Sequence, residues 1–260
     1  MSEQKSEQQE RAEWTARLTE VLGLEGSPIA YAILREPPEG MKQWEGPPMW
    51  PCGVVQKARY GESFYIKAEN CACPGKAFIG ISPPPPKFNA ADYLVQAKKL
   101  YGTRAGAAQH IQEVWKMVPK VGGDYAVFAP LEEANFDPDA VLFIGLPFHV
   151  MRIMFLDAYE TGLHDVAPYG EPFCSGVLAQ TISSGKMTLG MFCGGSRESA
   201  GFKPEECVLG VPYVRMRRIY RSIDKTHVGT ACPDNEAGTR FLGRPDKLHR
   251  FEGYDAHLKK

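Results

Sequence analysis

The chain has 260 residues, of which 43% are hydrophobic and 23% charged, and its formal net charge is −1. These values are typical of a globular protein with a substantial core, and a nearly neutral chain has no field to attract nucleic acid or an anionic membrane. Its apolar runs are too short to span a bilayer, and the start lacks the basic and apolar regions of a secretory signal. We therefore expect a cytoplasmic protein with neither nucleic-acid nor membrane partners.

The first part of the chain predicts helices that alternate with strands. An amphipathic helix, which Gly23 would end, is indicated by apolar residues at helical spacing: Trp14, Leu18, Val21 and Leu22. The apolar run Pro28–Leu34 predicts a buried strand. Further helices are predicted at Val54–Tyr60, Ala90–Tyr101 (capped by Asn89) and Ala105–Met117, and further strands at Ser63–Lys67 and Ala77–Ile81.

The second part continues the alternation. Strands are predicted at Tyr125–Pro130, Ala140–Leu146 and Val211–Met216, and helices at Val150–Tyr159 and from Ile219 onward. A basic patch of four arginines (Arg215, Arg217, Arg218 and Arg221) could bind acidic partners, but a solvated edge strand is the favoured explanation. Strands interleaved with helices predict an α/β or α+β fold with a mixed sheet and flanking helices.

Two cysteine segments resemble each other. The separation of Cys52 from Cys71 equals that of Cys174 from Cys193, and each segment has glycines beside its cysteines. This pattern predicts an internal duplication that produces two pseudo-symmetric lobes. The N-terminal helix would occupy 1–26, the first lobe 27–124 and the second lobe 125–260, all within one compact domain.

The seven cysteines need another explanation than disulfides, because disulfides are rare in a reducing compartment. Four thiolates from two lobes would match the ligand number of a 4Fe–4S cluster, with Cys52, Cys71, Cys174 and Cys193 as ligands. Glycines without a Cβ would let the cofactor approach and let amides point at sulfur: Gly53, Gly194 and Gly195. The alternatives are a zinc or mononuclear iron thiolate site, and no cofactor at all, with the cysteines packed as small hydrophobic residues.

The remaining cysteines are less informative. Cys73 would be a spare, a fifth ligand candidate or a substitute for Cys71. No function is assigned to Cys207 or Cys232.

Two other residues are candidate catalytic groups. Arg197 follows a glycine turn and could hold a carboxylate or phosphate in bidentate fashion, unless it forms an ion pair or clamps carbonyl groups. His149 follows a predicted strand, where α/β proteins often place functional side chains, and it could transfer protons unless it caps the next helix.

The chain resembles the uncharacterised archaeal-conserved-region family. The resemblance rests on PIAYAI near the start, Cys52 with the Ala58 and Gly61 segment, Cys71 with its glycine, PDAVLFIGLPFHVMRIM, Gly162–Cys174 and CGGSR from Cys193 to Arg197. The family has no settled activity to carry over. Its anaerobic distribution would suit an oxygen-sensitive cofactor.

These observations favour a cytosolic iron–sulfur redox protein of anaerobic metabolism, an oxidoreductase if it is an enzyme. It would relay electrons to a partner protein or act on a small anionic substrate. The alternatives are a metal-free thiol enzyme with a cysteine nucleophile and a non-catalytic protein that binds a small ligand. A homo-oligomer is compatible with each of these hypotheses.

Overall fold

The computed structural model describes residues 6–83, 91–97, 99–117, 123–168 and 173–225. Its seven strands form one mixed sheet in the order β2-β3-β1-β4-β7-β6-β5. The strands are β1 (Ile29–Leu34), β2 (Phe64–Ile66), β3 (Tyr125–Pro130), β4 (Ala140–Gly145), β5 (Val166–Pro168), β6 (Met187–Met191) and β7 (Cys207–Pro212). Their pairings are antiparallel except for β5 with β6. The predicted α/β class with a mixed sheet is confirmed.

The α-helices of the described residues are α1 (Glu7–Leu22), α2 (Pro51–Arg59), α3 (Gly75–Phe78), α4 (Arg104–Met117), α5 (Pro147–Ala158), α6 (Gln180–Ser184), α7 (Gly194–Ala200) and α8 (Met216–Ser222). The end of α1 follows the sequence prediction, because Gly23 adopts the left-handed conformation (φ 66°) and its N–H bonds to the Thr19 carbonyl. The predictions for β1, β3, β4, α4 and α5 are also confirmed to within a few residues.

Alternation along the strands sends successive side chains to opposite faces of the sheet. Ala30 and Ala32 of β1 join the core that α1, α5 and α8 cover. Ile29 and Tyr31 join the second core, which α2 and a π-helical turn, Cys174–Ala179, cover. The second face positions the candidate site.

Three local predictions were wrong. The segment predicted as a strand at Ala77–Ile81 forms α3 and the turn after it. The predicted strand Val211–Met216 ends at Pro212 and continues as the 3-10 turn Tyr213–Arg215 and α8. The arginine patch consequently lies on that turn and α8, and β7 is an interior strand between β4 and β6 rather than an edge.

The predicted helix at Ala90–Tyr101 is only partly described: it contains a π-helical turn, Tyr93–Ala97. Its cap, Asn89, lies outside the described residues, as does Cys232. In addition, β5 and β6 were not predicted as strands.

The predicted internal duplication is not confirmed. The strand that begins the second predicted lobe, β3, lies in the sheet between β1 and β2 of the first. Both halves therefore contribute to one interleaved sheet. The lobe boundaries stay a prediction.

Candidate thiol site

Cys52 is placed by the start of α2. Pro51 is the first residue of this helix, where its fixed φ suits helical backbone and its missing N–H costs nothing. Trp50 precedes it in extended conformation, and its carbonyl accepts a 2.8 Å hydrogen bond from the N–H of Gly53. Cys52 therefore sits in the first turn, and it is buried.

The loop that carries Cys71 and Cys73 is fastened to the segment that leads into α2. The N–H of Met49 donates to the Asn70 carbonyl at 2.7 Å, and the N–H of Ala72 donates to the Met49 carbonyl at 3.1 Å. These two bonds form a parallel bridge between Met49 and Cys71. Main-chain pairing thus brings the first cysteines of the chain together.

Cys174 and Cys193 are brought together by aromatic packing between the residues beside them. The rings of Phe173 and Phe192 lie 5.2 Å apart, and Phe192 also stacks on Phe202. Cys174 begins the π-helical turn, a rare conformation that is frequent at functional sites. Cys193 is the N-cap residue of α7.

Gly75 lies where the segments that carry Cys73 and Cys174 meet. A Cβ on this glycine would lie 3.0 Å from the Cys174 sulfur, 3.1 Å from the Cys73 sulfur and 2.9 Å from Cγ of Pro51. The sulfur atoms of Cys73 and Cys174 therefore lie close to each other, because both approach the same point beside Gly75. A side chain at this position would have to displace these neighbours.

Electrostatic coupling links five cysteines into one group, here called the thiol cluster: Cys52, Cys71, Cys73, Cys174 and Cys193. Burial raises the pKa of Cys174 well above its usual value, and thiolates at each of the other four would raise it further. Burial and a thiolate at Cys73 raise the pKa of both Cys52 and Cys71 to about 12. These buried thiols stay protonated at neutral pH, and a protonated thiol is a poor nucleophile.

Two members of the thiol cluster are partly exposed, Cys73 and Cys193. The sulfur of Cys73 accepts a hydrogen bond from the N–H of Gly75 at 3.3 Å, and burial raises its pKa. The sulfur of Cys193 lies 2.8 Å from the hydroxyl oxygen of Ser196. Solvent reaches the cluster through these two residues.

Trp50 and the predicted glycines lie within two residues of Cys52 or Cys193 along the chain. The Trp50 ring is 36% exposed and lies 3.1 Å from the place a Cβ on Gly195 would take. A Cβ on Gly53 would meet the Met49 side chain, whereas one on Gly194 would have no atom of the described residues within 4 Å. Their role in binding a cofactor stays a prediction.

The iron–sulfur function predicted from the sequence is wrong. Among the described residues, no three histidine, cysteine, aspartate or glutamate side chains are placed where they could share one metal ion. The described cysteines are all free thiols, and hydrophobic packing gathers them: Cys52, Cys71 and Cys174 belong to the core beneath the sheet. The zinc, mononuclear iron and cofactor-free alternatives stay predictions.

The side chains of Arg197 and His149 have hydrogen-bond partners outside the thiol cluster. The Arg197 guanidinium donates to the carbonyls of Lys203 and Glu206, the latter at 3.3 Å, and so clamps the turn between them. The ring of His149 lies in the first turn of α5, where its Nδ1 accepts a 3.3 Å hydrogen bond from the N–H of Leu146. A catalytic role for either residue stays a prediction.

Tyr31 is a member of the site that sequence analysis missed. Its hydroxyl is fully buried with no hydrogen-bond partner in the described part of the chain, and its ring stacks on Phe128 at 4.8 Å. Burial raises its pKa well above the usual value, as would a carboxylate at Asp139 and a thiolate at Cys174. The only feature of the sequence that could have indicated this role is the hydroxyl group of Tyr31 within an otherwise apolar predicted strand.

Replacing Gly75 tests the convergence of the cluster. Gly75→Ala should lower the free energy of unfolding by about 1–3 kcal/mol, because the added methyl overpacks two sulfur atoms and a proline ring. Urea denaturation measures the change. Gly194→Ala is the matched control, since its methyl meets open space and should change stability by less than about 1 kcal/mol; equal effects of the two substitutions would contradict the close packing at Gly75.

Comparisons with known proteins agree with the resemblance seen in the sequence. A family model described as "Uncharacterised ArCR" matches residues 17–222. An uncharacterised protein of Methanocaldococcus jannaschii is 30% identical over 180 residues, which cover 66% of this chain and 75% of that protein. No solved structure matches. None of the helices in the described residues has the length and apolar character that crossing a membrane requires.

Proposed function

The chain belongs to the uncharacterised ArCR family, whose description names no activity, and we propose from its residues that it carries out thiol–disulfide exchange. The observation that supports this most directly is that two thiols of the cluster, Cys73 and Cys193, are partly exposed while the other three are buried. Burial raises the pKa of Cys73, and a thiolate at Cys193 would raise it further. Cytoplasmic localisation and a small-molecule or protein redox partner belong to this proposal.

The exchange balances with a small-molecule disulfide as oxidant. The Cys193 thiolate attacks one sulfur of that disulfide, which forms a mixed disulfide and releases one thiolate. The thiolate of Cys73 then attacks the Cys193 sulfur, which forms the Cys73–Cys193 disulfide and releases the second thiolate. Two protons leave the protein thiols and protonate the two released thiolates, directly or through solvent.

The buried thiols and the loop have supporting roles. Cys52, Cys71 and Cys174 stay protonated and act as apolar packing beneath the pair. A disulfide needs Cα atoms roughly 4.4–6.8 Å apart, so the proposal requires Cys73 and Cys193 to come within that range. Ser196 leaves its contact with the Cys193 sulfur when the new bond forms.

Oxidation of the reduced protein tests the proposal. With oxidised glutathione in excess, peptide mapping by mass spectrometry should identify a Cys73–Cys193 disulfide that dithiothreitol reverses. In Cys73→Ser the reaction should stop at a glutathione adduct on Cys193, and Cys193→Ser should form neither product.

Cys207→Ser is the matched control. This thiol lies on the opposite face of the sheet, where its sulfur contacts the Gly145 carbonyl at 3.5 Å, so its loss should leave the cross-link unchanged. Oxidation that links other cysteines, or that leaves Cys73 and Cys193 as slow to react as Cys207, overturns the proposal.

A further inference from the structure

A cavity lies at the other end of α2 from the thiol cluster. Its volume is about 240 Å³, and the helix rise of 1.5 Å per residue separates Arg59 from Cys52 by about 10 Å. Gly23 and Gly145 contribute backbone to its wall. The charged and polar side chains that line it are Glu25, Arg59, His149, Lys203, Glu205 and Glu206.

The floor of the cavity is a buried ion pair. Nη2 of Arg59 lies 2.8 Å from Oε1 of Glu206, and these side chains are only 2% and 4% exposed. The Nε of Arg59 donates to the Glu25 carbonyl at 2.7 Å, and the N–H of Lys203 donates to Oε2 of Glu206 at 2.8 Å. Because the Arg59 and Glu206 side chains are bonded to each other and to the backbone, they define the shape of the cavity. Ligand binding is left to the other side chains that line it.

His149 offers a hydrogen-bond donor to the cavity. Burial lowers its pKa, and the charge of Arg152 lowers it further, so the ring is neutral at pH 7. Because Nδ1 accepts the bond from the N–H of Leu146, the single ring proton resides on Nε2. This N–H forms no hydrogen bond within the described ranges, and an oxygen acceptor in the cavity would satisfy it.

Two charged side chains complete the wall. Nζ of Lys203 lies 2.5 Å from Oε2 of Glu25, but the two side chains are 50% and 56% exposed, and such an exposed pair contributes only about 0–1 kcal/mol. A ligand carboxylate can therefore take Lys203 from Glu25 at little cost. Glu205 is exposed and has no ion pair among the residues that the structure describes.

We infer that this cavity binds a small zwitterion of the amino-acid kind, with one carboxylate and one ammonium group. The carboxylate accepts from Nε2 of His149 and from Nζ of Lys203, and the ammonium donates to the Glu205 carboxylate. Three carboxylates and two cations line the site, which disfavours a ligand that is only anionic. The volume is below the 300–1,000 Å³ of typical drug-sized pockets, so it suits a ligand of amino-acid size.

Arg197 is a positioning residue for this cavity. By holding the carbonyls of Lys203 and Glu206, it fixes the turn that presents Lys203 to the ligand. Of the two predicted residues, His149 lines the cavity and Arg197 holds the turn that carries Lys203. This inference does not depend on thiol–disulfide exchange.

The test uses ligands that differ by one group. L-alanine and 4-aminobutyrate carry both charges, propionate lacks the ammonium, and ethylammonium lacks the carboxylate. Titrations of the full chain are followed by long-range ¹H–¹⁵N spectra of the histidine rings. At least one of the two zwitterions should shift the His149 ring resonances saturably and bind at least about tenfold more tightly than propionate or ethylammonium, a difference of about 1.4 kcal/mol.

Lysine variants identify the ligand-binding group. Lys203→Met should weaken zwitterion binding by at least about tenfold. Lys186→Met is the matched control, because Lys186 is 52% exposed and is likewise paired with one carboxylate, that of Asp165; it should bind as the wild type does. Cys193→Ser should also bind normally, which separates this inference from the proposed function.

Three results overturn the inference. They are no saturable shift of His149 with either zwitterion, binding of propionate or ethylammonium as tight as that of the zwitterions, and equal losses in Lys203→Met and Lys186→Met. Since the readout is a resonance of the folded protein, a variant that fails to fold is recognised from its spectrum. The wild-type titrations then decide the outcome.

Discussion

Glu206→Gln should lower the free energy of unfolding by about 3–5 kcal/mol, because it leaves the Arg59 guanidinium as a buried charge without a counterion. Both side chains are almost fully inaccessible, at 2% and 4% exposed, and Nη2 of Arg59 lies 2.8 Å from Oε1 of Glu206. The Glu25 carbonyl accepts from Nε of Arg59 but supplies no negative charge. Reversible urea denaturation measures the loss.

Two variants separate the buried charge from the lost hydrogen bond. The double variant Arg59→Met with Glu206→Leu removes both charges and should be much less destabilised than Glu206→Gln, since apolar replacements of a buried pair are often neutral. Glu62→Gln is the exposed control, because the Lys57–Glu62 pair is 35% and 49% accessible and should contribute no more than about 1 kcal/mol. A Glu206→Gln effect as small as that of Glu62→Gln would contradict the burial of this pair.

Alkaline pH should destabilise the protein through the buried thiols of the cluster. Cys52 and Cys71 have a pKa of about 12 in the folded state, against a usual value of 9.0. Below pH 9.0 both states hold these protons and the stabilisation is complete. Between that pH and about 12 the unfolded chain releases protons that the folded state retains, so stability falls by about 1.4 kcal/mol per pH unit for each thiol.

Cys71→Ala isolates one of these protons. Its stability should decline less steeply with pH than that of the wild type, by about 1.4 kcal/mol per unit above pH 9. Urea denaturation under reducing conditions, repeated at closely spaced pH values, gives the slope. Val54→Ala is the control, because it removes buried apolar volume from the same core and should lower stability without changing the slope. Parallel slopes for wild type and Cys71→Ala would show that the thiol ionises normally.

The fold was predictable where a segment's own pattern decides its structure. The spacing from Trp14 to Leu22 predicted α1, and Gly23 ends it in the left-handed conformation. Apolar runs predicted β1, β3 and β4, which are central strands covered on both faces. Such strands have continuous apolar sequences because their side chains are buried on both faces of the sheet.

Prediction failed where neighbours in space override the local pattern. The apolar residues of α3 pack as a helix against the π-helical turn and α4 instead of joining the sheet. The strand β7 begins at Cys207 and ends at Pro212, and the side chains of Arg215 and Arg218, which follow it, bind the Asp157 carboxylate. Matched cysteine spacing indicated a duplication, yet the two segments differ: Cys52 lies in an α-helix and Cys174 in a π-helical turn.

The candidate site was only partly visible in the sequence. The matched spacing selected Cys52, Cys71, Cys174 and Cys193, and the structure places all four in one cluster. The sequence left Cys73 as a spare, a fifth ligand candidate or a substitute for Cys71, although Cys73 and Cys193 are the partly exposed members of the cluster. Tyr31 and Gly75 carried no motif, because their roles depend on what lies across the sheet and across the loop.

The sequence by itself determined the α/β class, the central strands and the family, because each depends on patterns of neighbouring residues. It also singled out the cysteines as chemically unusual. Only the tertiary structure decided how those thiols behave, since burial and the charge of neighbouring sulfur atoms set whether each is protonated and which can be reached. The pKa of a thiol and the second thiol with which it can react depend on the residues that surround it in space. Those residues are far apart along the chain.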